Sequence, residues 1–215
     1  SMSLEEGNIN NFRGANMTIL ILIRHGQSIW NAENRFTGWT NVELSEKGER
    51  EALDAGISLS KISIDSVHTS DLIRAQRTAE IIMENNDVSS KFSTYFDFRL
   101  NERNYGELQG LNKKETAEKH GAEQVHIWRR SYDIAPPGGE SLKMTAERTI
   151  PYFIEEILPE LENGKNILVA AHGNSLRSIV MHIENISPEE IVNVEIPTGI
   201  PRIYDYNDGI ITKNE

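Results

Sequence analysis

TILILIRHG, residues 18–26, and ILVAAHGN, residues 167–174, share one pattern: an unbroken apolar run that stops at a His-Gly step. The runs Thr18 to Ile23 and Ile167 to Ala171 show no alternation with polar residues. That is the mark of strands covered on both faces, the usual state in a parallel sheet. In an open α/β sheet, ligands bind beyond the carboxyl ends of the strands. Two histidines, His25 and His172, delivered there from neighbouring strands could face a single ligand, and Gly26 and Gly173 beside them let backbone come close to it.

Outward from these strands the chain alternates. Ser45 caps a segment whose Ala52, Ala55, Gly56 and Leu59 form a narrow apolar stripe, a crossover helix. A short strand, Ser66 to Thr69, meets Ser70, which reads as the cap of a helix with Leu72, Ala75, Ala79 and Ile82 at its core-facing positions. Arg74 then falls in the first turns of that helix. Phe92, Tyr95 and Phe96 suggest another strand, and Lys113 to Arg130 is helical in composition, interrupted by Gly121. The stretch 135–140, APPGGE, is a loop. After Ser141 a long amphipathic helix carries Leu142, Ala146, Ile150, Phe153 and Ile157, with Pro151 bending it and Pro159 and Gly164 marking its exit. Ser187-Pro188-Glu189-Glu190 starts a further helix. Strands alternating with helices predict an α/β, three-layer sandwich: a mainly parallel central sheet flanked by helices. Residues 1–16 are expected to be a disordered or tag-derived N-terminal arm, and 17–215 a single catalytic domain.

Composition narrows the function. A net charge of -11, from 22 Lys and Arg against 33 Asp and Glu, argues against nucleic acid and anionic lipid as partners, so any phosphate site must be a local concentration of cations. The absence of cysteine removes disulfides, thiolate catalysis and thiolate-bound zinc. The longest apolar run, Ile19 to Ile23, is far below the roughly 20 residues of a membrane span. Cations do gather near the histidines: Arg24 adjoins His25, Arg74 opens a helix, and Arg103, Arg129 and Arg130 lie in the polar segments between. The arginine fork matches phosphate oxygens in bidentate fashion. Asn31, Thr37, Gly38 and Asn174 add neutral donors, whereas Arg77 and Arg148 read as solvated helix faces.

The segment LIRHGQSIWNAENRFTGWTNVELSEKGEREA, residues 22–52, resembles the opening of the cofactor-dependent phosphoglycerate mutases of the histidine phosphatase superfamily. HTSDLIRAQRTAEII, LNERNYGELQGLNKKETAEKHG, EQVHIWRRSYDIAPP and ILVAAHGNSLRSIV with IPTGIP behind it extend the likeness from Met17 to Tyr206. The resemblance implies interconversion of 3-phosphoglycerate and 2-phosphoglycerate, in glycolysis and gluconeogenesis, through a phosphohistidine primed by 2,3-bisphosphoglycerate. It implies no metal, a cytoplasmic location and a homodimer or higher assembly. His25 would be the nucleophile, with Arg24, Arg74 and His172 around the transferring phosphoryl and Glu102 as general acid and base. Lys113, Arg129 and Arg130 would hold the second anionic group, and Asn31, Thr37, Gly38, Arg103, Tyr105, Gly173 and Asn174 would complete the pocket. His68, His120, His126 and His182 have no assigned place beyond surface or core.

Three departures stand out. Asn104 stands where the family usually has histidine, a segment that longer mutases carry is missing between Pro137 and Gly138, and the tail after Tyr206, which in the family helps close the site, is brief. A shorter lid admits water more easily. A phosphatase with the same nucleophile and water as acceptor therefore stays open as an alternative, as does a non-catalytic sensor of a phosphorylated metabolite. The retention of His25, Glu102 and His172 together speaks against the sensor.

Overall fold

The computed structural model describes residues 17–214, and the arm expected over residues 1–16 lies outside them. Strand β1 (Thr18–Arg24) is followed by α1 (Ile29–Ala32), α2 (Glu46–Ser58), β2 (Ser66–Thr69), α3 (Ile73–Glu84) and β3 (Ser93–Phe96). Next come α4 (Lys113–His120), α5 (Ala122–Arg130), α6 (Leu142–Tyr152), α7 (Leu158–Glu162) and β4 (Ile167–Ala171). The chain closes with α8 (Gly173–Glu184), α9 (Pro188–Ile191), β5 (Arg202–Asn207) and β6 (Ile210–Lys213). The sheet order is β3-β2-β4-β1-β5-β6. The pairs β1·β4, β2·β4 and β2·β3 are parallel, while β5 and β6 join antiparallel.

Period-two side-chain geometry sorts each central strand onto two cores. Leu20, Leu22, Val169 and Ala171 face a cluster with Tyr152, Phe153, Ile157, Leu176, Ile179 and Val180. Ile21, Ile23, Leu168 and Ala170 face Ala55, Leu59, Ala79 and Ile82 on the opposite side. Both faces of β1 and β4 are therefore dry, which explains their unbroken apolar sequence. Each fully buried Leu or Ile contributes on the order of 1.5–3 kcal/mol. The small stripe of α2 lets it approach α3 closely: a Cβ on Gly56 would sit 3.1 Å from the Ile82 Cα.

The long helix after Ser141 behaves differently from its sequence reading. Ser141 caps it as expected, its hydroxyl accepting from the Met144 amide at 3.1 Å. Pro151 has no N–H to give the preceding turn, and the helix does not stop there: it runs through a π turn, Phe153–Ile157, into α7. Pro159 sits at the start of α7 rather than at its exit, which falls at Asn163 and Gly164, where φ is +81°. Gly121, at φ +88°, divides the expected 113–130 helix into α4 and α5. The residues after Tyr206 form the β5–β6 hairpin on the sheet edge, so among the described residues this stretch does not cover the ends of β1 and β4.

Candidate active site

Arg24 pairs with Ala171 across the parallel ladder, and the His25 amide donates to the Ala171 carbonyl at 3.1 Å. The next residue on each strand is therefore a histidine, and the rings of His25 and His172 meet edge to face with centroids 5.0 Å apart. Gly26 serves this geometry in an unexpected way. A Cβ there would lie 2.1 Å from the Gly48 carbonyl oxygen, so its close neighbour is the first turn of α2 and not a ligand. Gly173 instead lies over Arg24 and Glu102, where a Cβ would be 3.6 Å from the guanidinium and 3.7 Å from Oε2.

His25 is buried, and its Nδ1 lies 2.6 Å from the Gly26 carbonyl oxygen. A carbonyl can only accept, so Nδ1 carries the proton and Nε2 keeps its lone pair. Arg74 Nε donates to that Nε2 at 3.3 Å. Burial, then Arg74 and Arg24, hold the His25 pKa well below the ordinary histidine value, with the Gly26 bond opposing. The ring is neutral at pH 7, the form a nucleophile needs. His172 is likewise pushed far down by burial and by Arg74, His25 and Arg24, so it too is neutral.

Arg74 is almost fully buried and also donates to the carbonyls of Thr40 at 2.8 Å and Gly38 at 2.6 Å, fixing the 37–40 turn over His25. Burial pushes its pKa down to about 10, with Glu102 opposing and Arg24 adding, and it stays protonated at neutral pH. Glu102 Oε1 accepts two backbone amides, Arg103 at 2.8 Å and Asn174 at 3.0 Å. The backbone of Glu102 is held as firmly. Its carbonyl accepts from Trp39 Nε1 at 2.6 Å and Arg148 Nη2 at 2.8 Å.

These groups open into a cavity of about 170 Å³. Arg24, His25, Asn31, Thr37, Gly38, Arg74, Glu102, Tyr105, Lys113, Arg129, Arg130, Gly173 and Asn174 line it, as the sequence predicts. His172 stands behind this wall, packed on His25. Arg103 is not brought into the cavity. Its fully buried guanidinium donates to the carbonyls of Glu140 at 2.6 Å, Trp128 and Ile134, cross-linking the 128–140 loop. Asn104 likewise turns inward to its own loop, accepting from the Gly106 amide at 2.8 Å.

The lining holds seven cationic side chains, Arg35 and Arg177 among them, against the carboxylates Glu102 and Glu195. Burial, then Arg129, Arg24 and Arg130, push Lys113 down to about 8. Cations crowded this way repel one another, and an anionic ligand relieves the repulsion. Arg177 is the one charged residue among the buried positions of α8, bonded to Asn174 Oδ1 at 3.0 Å. No sequence signal marks Arg148, and it is not a solvated face: it spans the carbonyls of Arg99, Asn101 and Glu102 and pairs with Glu140 at 2.9 Å. Arg77 does lie on the surface, paired with Glu49 and Glu80. His120, His126 and His182 are exposed, while His68 is core, bonded to Tyr152 and Glu160 at 2.6 Å each. Among the described residues, no three His, Cys, Asp or Glu side chains converge as a metal site would require, and no helix is long and apolar enough to cross a membrane.

A mostly parallel sheet that ends its two central strands in paired imidazoles, ringed by arginines, defines a class. The chain belongs to the histidine phosphatase superfamily, branch 1, whose description matches residues 20–212. Within it the chain is similar to the 2,3-bisphosphoglycerate-dependent phosphoglycerate mutase of Cytophaga hutchinsonii, at 53% identity over 89% of this chain and 89% of the relative. It is also similar to 2,3-bisphosphoglycerate-dependent phosphoglycerate mutase 1 of Arabidopsis thaliana, at 46% identity over 95% of this chain and 69% of the relative. Among solved structures, Bacillus stearothermophilus YhfR superposes with a TM-score of 0.80 at 25% identity, covering 91% of this chain and 95% of that one.

Proposed function

We propose that this chain is a phosphoglycerate mutase that interconverts 3-phosphoglycerate and 2-phosphoglycerate through a phosphohistidine at His25. The observation that carries the reading is the His25 ring. Its Nδ1 proton is held by the Gly26 carbonyl, and its unprotonated Nε2 keeps a lone pair that accepts only a long bond, 3.3 Å, from Arg74 Nε. As Nε2 takes the phosphoryl group, positive charge develops on the ring, and the Gly26 carbonyl stabilises it. Arg24 and Arg74 offset charge on the equatorial phosphoryl oxygens. Glu102, with Oε1 fixed by two amides, moves the proton of the phosphoglycerate hydroxyl as the group arrives or leaves. Lys113, Arg129 and Arg130, from a separate part of the chain, hold the remaining anionic group, which must rebind in two orientations.

The bisphosphorylated form of the substrate fits the same residues. Arg24 Nε and His172 Nδ1 are buried without a partner among the described residues, and an anion with two phosphates answers both those atoms and the cation excess. Bound there, 2,3-bisphosphoglycerate supplies the priming phosphoryl group.

The test is an isomerisation assay with and without trace 2,3-bisphosphoglycerate. Conversion that depends on it, with an acid-labile phosphoprotein lost in His25→Ala, is the expected result. Glu102→Gln keeps its circular dichroism and slows transfer by about 10²–10⁴-fold. Free phosphate released at a comparable rate without isomerisation would assign a phosphatase instead.

We further propose that two copies associate through β3. This strand ends the sheet, all four of its residues are exposed, and Phe92 and Phe98 flank it in the open. An unpaired edge joins its own copy about a two-fold axis. Sedimentation should give a dimer, and Phe96→Lys should give a monomer; a monomeric wild type refutes the contact.

A further inference from the structure

Ser70 reads from sequence as a helix cap, yet α3 begins only at Ile73, and the residue before it, Leu72, makes no side-chain cap. The Ser70 hydroxyl is used elsewhere. The residue is fully buried at the end of β2, its carbonyl held by Thr69 Oγ1 at 3.2 Å and Gln76 Nε2 at 3.1 Å. Its Oγ accepts the Leu72 amide at 3.2 Å and lies 2.7 Å from His172 Nε2. On the other side of that ring, Nδ1 is buried with no partner among the described residues.

Two proton arrangements are open to this pair. With the proton on Nε2, Ser70 Oγ accepts twice, its own hydrogen has no acceptor, and Nδ1 is an unpaired acceptor. With the hydroxyl donating to Nε2, Ser70 and Nε2 are both satisfied, and Nδ1–H alone is left over. Each unmatched buried polar group costs about 1–3 kcal/mol, so the second arrangement is preferred by one such group. It also leaves a donor, not a lone pair, on the ring that packs 5.0 Å from His25. A donor attracts a phosphoryl oxygen, and a lone pair repels it.

We propose that Ser70 is a positioning residue for His172: its hydroxyl donates to Nε2, holds the ring in the Nδ1–H tautomer and so presents a hydrogen-bond donor to the phosphoryl group carried on His25. The proposal rests on reading His172 as part of the phosphoryl-transfer site. The neutral state of His172 is what makes its tautomer matter, since an imidazolium would donate from both nitrogens.

The experiment is nitrogen-15 NMR of the full-length labelled protein at pH 7, with the His172 ring identified by its loss in His172→Gln. A proton on Nδ1 and a bare Nε2 in the wild type are expected. In Ser70→Ala the two tautomers should mix and kcat should fall about tenfold, equivalent to about 1.4 kcal/mol, with KM unchanged. A proton on Nε2 in the wild type, or wild-type kcat in Ser70→Ala, overturns the proposal. Failure of the mutase reading shows itself separately, as wild-type protein that forms no acid-labile phosphoprotein, and the ring tautomer is read either way.

Discussion

Lys113 is the cavity residue whose charge changes closest to neutral pH. Its folded value of about 8 lies below the ordinary lysine value, so it is protonated below pH 8 and neutral above. A bound anion favours the charged form, and affinity must fall as pH rises through about 8. KM for phosphoglycerate should therefore climb between pH 7 and 9, while Lys113→Met should show a KM raised on the order of tenfold and flat across that range. A wild-type KM independent of pH would remove Lys113 from the binding set. At this scale the sequence was legible wherever a residue stood beside a strand end, as Arg24 and His25 do. It was illegible where a side chain takes its role from distant carbonyls. Arg103, adjacent to Glu102, reads as a ligand for the substrate anion, yet its partners lie 25 to 37 positions along the chain.

Helix α6 acts on the site without touching the cavity. Arg148, Thr149 and the Glu140 that precedes the helix together hold the backbone from Arg99 to Glu102. Trp39 lies against Arg148, 5.4 Å from guanidinium to ring, and bonds the same Glu102 carbonyl. Arg148→Met should lower kcat by roughly 10–10²-fold with little change in KM, because displacing a proton-transfer group by about 1 Å costs that much. Combined with Glu102→Gln, the loss should be far from additive; additive losses would mean that Arg148 acts elsewhere. The elements themselves were recovered unevenly. Strands β1 and β4, apolar throughout, read clearly. β5 and β6 did not, since RIYDYN and IITK become strands through pairing with β1 and with each other, a non-local cause. The π turn after Pro151 is similar: proline announces a disturbance, and packing decides its form.

For the whole molecule, the two site imidazoles carry a stability cost in acid. Both His25 and His172 have folded values well below the ordinary one, chiefly through burial. Above about pH 6.5 neither state binds the proton and stability is complete; below it the unfolded chain protonates first and stability drops. Each ring contributes about 1.4 kcal/mol per pH unit until its folded value is reached. Urea unfolding at pH 7 and pH 5 should show this loss, and His172→Gln should make it smaller over that interval. An unchanged slope in that variant would mean His172 is charged in the native protein.

The adjacency of β1 and β4 has one further consequence. Because each ring follows directly from a ladder-bonded residue, their separation repeats the interstrand spacing of about 4.8 Å. The gauge between the two imidazoles is thus set by backbone periodicity, not by side-chain choice. Diversification on this scaffold is thereby confined to the rim: the loops contributing Thr37, Lys113 and Arg129 can be rewritten to admit new acceptors while the central ruler stays constant.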